Sequence, residues 1–229
     1  MSRLLGILLL GLMGCNADLS STTTSVTPSS STTSTSTSTV ATTVSTKTVK
    51  TIKTTKASVL IKQSGGAIAI SDLANGLGTV GDTASEPKRV AMTFSLSSLV
   101  GKSVSAAKVL LYYNGKSSTS VITNLGVLSL YQISSRSSFS TSDYSATETF
   151  LKEVISNTSA LSALSDHQAI ESDVTDSVKT SVANADGYFT VKLRFANETG
   201  GGNNSVNLYT NYSSTVLDAY IPALEVTYE

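Results

Sequence analysis

Between Lys88 and Tyr113 apolar and polar residues alternate with a period of two. Val90, Met92, Phe94 and Leu96 fall in one phase, and Arg89, Ala91, Thr93 and Ser95 in the other. A strand here turns one apolar face inward and one polar face to water. After a turn at Gly101, Ala107, Val109, Leu111 and Tyr113 share one face, while Leu110 and Tyr112 add apolar bulk to the other. That second strand is predicted to be partly covered on both sides. The pattern recurs in Leu125 to Ile133, in Phe189, Val191, Leu193 and Phe195, in Val206 to Tyr212, and in Leu224, Val226 and Tyr228 behind Pro222. Val59 to Lys62 and Ala67 to Ile70 flank Gly65-Gly66 and predict an opening hairpin.

Two stretches break the period. From Thr147 to Leu164, Phe150, Leu151, Val154 and Ile155 recur at helical spacing and predict a short amphipathic helix. Asp173 to Val182 predicts a capped helical turn that ends before Asp186-Gly187. Short strands with turn signals and one or two short helices make residues 57–229 an all-β, antiparallel β-sandwich. Charged residues are only 14% of the chain and the formal net charge is +0, which argues against nucleic-acid binding.

The first residues have another character. Met1, Ser2 and Arg3 lead into LLGILLLGLMG and then Cys15, an apolar run too short to span a bilayer as a helix and suited to a signal-peptide core over residues 1–14. Leu12-Met13-Gly14-Cys15 resembles the lipobox of bacterial lipoproteins, which implies cleavage before Cys15 and lipidation of its thiol and new amino group. The single cysteine excludes an intramolecular disulfide. Asn16, where an aspartate resembles an inner-membrane retention signal, points to the outer membrane or cell surface of a cell that has one. Residues 15–56 are rich in Ser and Thr and read as a disordered stalk, with Lys47, Lys50, Lys53 and Lys56 at every third position.

The segment from Asp72 to Tyr113 carries Asn75-Gly76, Val80-Gly81, Arg89, FSLSSL (Phe94 to Leu99) and VSAAKVLLY (Val104 to Tyr112), and further on come Asp173-Val174-Thr175 and IPALEVTY (Ile221 to Tyr228). These elements resemble the DNRLRE domain, a jelly-roll module of cell-surface and secreted proteins. The chain departs from it in lacking tryptophan, in Ser95 where Asp is usual, and in the insertion around Phe150. The resemblance implies a jelly-roll fold and, by analogy with related carbohydrate modules, a structural Ca²⁺ with Asp72 and Asp82 as candidate ligands. No other cofactor is expected.

Enzyme signatures are missing. His167 beside Asp166 is the only histidine and is read as a loop or edge-strand residue, because a triad is assembled through space around a positioned nucleophile. Two classes of function remain: a lipid-anchored, non-catalytic glycan-binding or adhesion module with polysaccharide or another envelope protein as partner, and a structural coat or assembly lipoprotein. For the first, the sequence points to Tyr188, Lys192 and Arg194 with Asn207, Tyr209 and Asn211, as the outward residues of two strands paired across a hairpin at Gly200. Rings among amide and cationic donors suit sugars, whose C–H faces stack while their hydroxyls hydrogen-bond.

Overall fold

The computed structural model describes residues 45–72, 76–199, 202–210 and 218–229. The signal peptide, Cys15 and most of the Ser/Thr-rich segment lie outside these. Twelve strands are described: β1 (Thr48–Lys53), β2 (Lys56–Lys62), β3 (Ile68–Asp72), β4 (Leu77–Thr83), β5 (Glu86–Ser95), β6 (Val104–Lys116), β7 (Leu128–Ile133), β8 (Thr149–Ile155), β9 (Ala169–Asp173), β10 (Tyr188–Phe195), β11 (Asn204–Tyr209) and β12 (Ala223–Tyr228). Three short helices accompany them: α1 (Val121–Leu125), α2 (Thr158–Ser162) and α3 (Thr175–Ala183). All of the strand pairs are antiparallel.

Two layers follow from the pairing. One runs β3-β2-β5-β10-β7-β8; the other runs β1-β12-β6-β11-β4, with β9 on the opposite edge of β6. Among the described strands, the ladder that joins them is that of β4 and β5, over Gly81 to Thr83 and Glu86 to Lys88. The two strands around Gly101 therefore face each other across the sandwich as an arch, turning through a 3-10 segment at Ser97–Leu99. Between the layers lies one apolar core in which Val90, Met92, Phe94, Val109, Leu111, Phe189, Val191, Leu193, Val206, Leu208, Leu224 and Val226 meet, each the inward phase of its strand.

Three expectations are corrected. Folded structure begins earlier than residue 57: β1 pairs with β12 from Thr48↔Tyr228 to Lys53↔Ala223 and buries Ile52, so the stalk cannot extend to Lys56. Its two apolar residues, Val49 and Ile52, stand three apart on an edge strand and do not alternate, which left no period of two to read. The helix expected over Thr147 to Leu164 is instead strand β8, paired with β7, followed by the single turn of α2. Register shifts at Leu128/Ser129 and Leu130/Tyr131 disturb the pairing of this strand, and its apolar residues fall at spacings that mimic a helix. Ala91 and Thr93, expected to face water, are fully buried. The chain from Arg136 to Glu148 crosses the outer face of their layer, and its 3-10 turn at Thr141–Ser145 packs on β2 and β3. Leu60, Ala91 and Tyr144, with Ile68, Ile70 and Phe139, make a second small core beneath it.

Of the described glycines, Gly81 is the most tightly hemmed by a neighbouring strand: its φ is +127° and an added Cβ would sit 2.2 Å from the Asn204 carbonyl oxygen. Backbone cannot yield as a side chain can, so Gly81→Ala should cost about 3 kcal/mol in a denaturant melt. Gly66→Ala, also at positive φ but with nothing within 4 Å, should cost about 1 kcal/mol. Equal costs would place the penalty in the dihedral alone.

Candidate functional site

The six residues expected on one face are separated. Both edges of β10 are occupied, by β5 and β7, and both edges of β11, by β4 and β6, so the Gly200 hairpin does not form. After Phe195 the chain instead prolongs its pairing with the approach to β7: Ala196 and Asn197 donate to the carbonyls of Val127 and Leu125 at 3.0 and 2.8 Å. Tyr188, Lys192 and Arg194 stay with one layer, Asn207 and Tyr209 with the other, and Asn211 lies outside the described residues. Tyr188 is half-buried, its N–H donating to Ser135 Oγ at 3.1 Å, and Asn207 accepts from Thr79 Oγ1 at 2.9 Å. Asp82 is buried on β4 opposite Asn204, while Asp72 ends β3 opposite Ser58. Among the described residues no three His, Cys, Asp or Glu side chains cluster as a metal site.

Lys192 is a structural residue. Its side chain is 0% exposed, with Nζ donating to the carbonyls of Asp143 (2.8 Å) and Tyr144 (3.0 Å) and lying 2.7 Å from Glu148 Oε1. Arg194 Nε bonds the other oxygen of Glu148 at 2.7 Å while its guanidinium covers the Tyr131 ring at 4.4 Å. Arg89 lies over the Tyr144 ring at 3.9 Å and pairs with Glu198, which also accepts from Tyr144 Oη at 3.0 Å. Arg136 pairs with Asp143. The bonds of Lys192, Arg194 and Arg89 tie the crossing segment and the β10–β11 connection to the sheet beneath, Tyr144 links the segment to that connection through Glu198, and Arg136–Asp143 braces the segment itself. The cationic donors assigned to a ligand are thus consumed inside the fold.

On the outer face of the other layer no described segment makes a crossing like that of Arg136 to Glu148. In register across it lie Thr51, Glu225, Lys108 and Asp173 in one row, Lys53, Ala223, Leu110 and Glu171 in the next, and Tyr209, Tyr112 and Ala169 in a third. Lys108 Nζ bridges Glu171 Oε2 (3.1 Å) and Glu225 Oε1 (3.2 Å), and these two carboxylates hold its ammonium above its usual range. Small residues such as Ala106 and Thr227 leave a groove of about 560 Å³ here, which Lys152 flanks. Ala106 to Tyr112 along β6 spans about 20 Å at the usual strand rise.

At the far end of this face four rings pack together. Tyr220 lies 5.7 Å from Tyr112, 5.6 Å from Tyr209 and 4.3 Å from His167, which stacks on Tyr209 at 5.1 Å. His167 has a left-handed backbone, φ 66°, and its imidazole runs between Asp166 Oδ2 (3.1 Å from Nδ1) and Tyr209 Oη (2.8 Å from Nε2). Burial pushes the Tyr209 and Tyr112 hydroxyls upward, reinforced by Asp166 for Tyr209 and by Glu225 and Glu171 for Tyr112. Tyr209 itself is buried; His167 is exposed, and Tyr112 and Tyr220 are half-buried, so these three present ring surface to solvent.

No family model and no curated protein matches the chain. Of the residues expected at the site only Tyr209 belongs to this cluster. Tyr112 was readable as the outward phase of β6, and Glu225 and Thr227 as that of β12. Tyr220 and His167 arrive from loops, where no periodicity marks them. No helix among the described residues is long and apolar enough to cross a membrane.

Burial pushes the Glu148 carboxyl up, but Lys192 and Arg194 overrule it and hold the group below its ordinary value of 4.5. Its contribution to stability is therefore complete above that value and is lost as pH falls through the depressed folded value. Lys192→Ala should cost about 3–5 kcal/mol at neutral pH, because it strands a buried carboxylate and two carbonyls. Denaturant melts stepped downward through the carboxylate range should show this difference between wild type and variant shrinking; a constant difference would remove Glu148 from the account.

Proposed function

We propose that the chain is a non-catalytic, lipid-anchored surface protein whose sandwich binds glycan on the outer face of the β12-β6-β9 layer. The observation that carries this is that one face holds both a groove, lined by Lys108, Glu171, Asp173 and Glu225, and, further along the outward row of β6, the partly exposed rings of Tyr112, His167 and Tyr220. Sugars present flat C–H faces to such rings, and the carboxylates and ammonium of the groove supply directional partners for hydroxyls. The neighbouring amide of Asn114 extends the donor set, its Nδ2 reaching Asp166 Oδ1 at 3.4 Å. The DNRLRE resemblance supports the same reading, as does the lipobox at Leu12 to Cys15 for the anchor.

Affinity electrophoresis of the chain through immobilised polysaccharides tests the site. Tyr220→Ala with Tyr112→Ala should reduce retention on whichever polymer holds the wild type by at least about tenfold, since stacking on one ring is worth 1 kcal/mol or more. Arg194→Ala should leave retention within about twofold, its guanidinium being engaged with Glu148. Full retention by the double variant with an unchanged melt would remove this face as the site.

The anchor has its own test. With Cys15→Ala, expressed behind its own leader, the protein should move from the detergent phase to the aqueous phase or accumulate uncleaved, because stable attachment requires more than one acyl chain. Detergent partitioning equal to wild type after leader cleavage would refute lipidation at Cys15.

A further inference from the structure

The charges of the groove narrow the ligand class, and this inference rests on the glycan reading above. Glu171, Asp173 and Glu225 line the groove, and Asp166 stands beside the rings. Lys108, at the centre, is shared by two of these carboxylates at 3.1 and 3.2 Å, so its single positive charge is already outweighed by its own partners. Lys152 borders the groove from β8, and Lys53 stands beyond Ala223 on β1, near enough to oppose the upward push on the Tyr112 hydroxyl but outweighed there by Glu225 and Glu171. The cation–ring contacts recorded among the described residues involve Tyr144, Tyr131 and Tyr228.

We propose that the groove selects uncharged, hydroxyl-rich polysaccharide and rejects polyanions such as uronate polymers. A neutral chain donates its hydroxyls to Glu171, Asp173 and Glu225 while its rings stack on Tyr112 and Tyr220. A uronate at the same place meets carboxylates whose partner lysine is already neutralised, and like-charge juxtaposition opposes it. The row Glu225, Lys108, Asp173 and the adjacent Glu171 thus act as specificity-determining residues that exclude by charge and hold by hydrogen bonding.

The test compares retention of the full chain by a soluble neutral β-glucan and by hyaluronan, for wild type and for Glu171→Gln with Glu225→Gln. Wild type should be retained by the glucan at least about tenfold more strongly than by hyaluronan at low salt. The double variant frees Lys108 and should gain about tenfold in hyaluronan retention at low salt, a gain that shrinks on addition of salt as exposed charges are screened. Wild type held by hyaluronan as well as by glucan, or a double variant with no gain, overturns charge selection and leaves the glycan reading standing. Retention by neither polymer overturns both.

Discussion

A lysine with no exposed side-chain surface must have its three N–H bonds satisfied within the protein, or the charge could not remain buried. Lys192 meets that demand with the carbonyls of Asp143 and Tyr144 and the carboxylate of Glu148, all on one segment that crosses the sheet. The segment cannot lift without stranding the lysine, and the lysine cannot be buried without the segment. Around this pair Arg89 and Arg194 engage Glu198 and Glu148, so the β10–β11 connection is tied to the same place. One layer of the sandwich thereby has both faces covered by its own chain.

The other layer is left to solve the opposite problem. Antiparallel sheets tolerate a solvated face, and the residues along β6 and β12 show that arrangement: Val109, Leu111, Leu224 and Val226 inward, Lys108 and Glu225 outward. Cross-strand ion pairs on an exposed face contribute little to stability. The tight packing of Tyr112, Tyr209, Tyr220 and His167 at one end is thus not needed to cover a core that is already closed, and its availability to a ligand follows from the asymmetry between the layers.

The inward phase of the strands was legible in the sequence because one rule, period two, decides it. Val90, Met92, Phe94, Phe189, Val191 and Leu193 all lie where alternation puts them. The outward phase was not, since alternation says which residues leave the core and nothing of what covers them next. Thr93, Ala91 and Lys192 left the first core only to enter a second, built by a segment without periodicity. Strand pairing was hidden for a related reason. The glycines after Glu198 read locally as a hairpin, but Leu125 and Val127 captured the backbone beyond Phe195, and the partners of β10 and β11 come from distant parts of the chain. Only Tyr209, whose own strand was read correctly, survived the change of partners as a site residue.

What distinguishes the ring cluster from an ordinary outward Tyr is how little freedom its members keep. Asp166 holds one side of the His167 ring and the Tyr209 hydroxyl the other, while Tyr209 lies in register against Tyr112 and Tyr220 closes on both. Lys108, a side chain with much rotamer entropy to lose, is already fixed by Glu171 and Glu225. A ligand that binds here meets surfaces whose ordering has been completed by folding, so less of the contact energy is spent on immobilising side chains. The ion pairs and ring contacts of this face add little to stability, but they reduce the entropic cost of recognition.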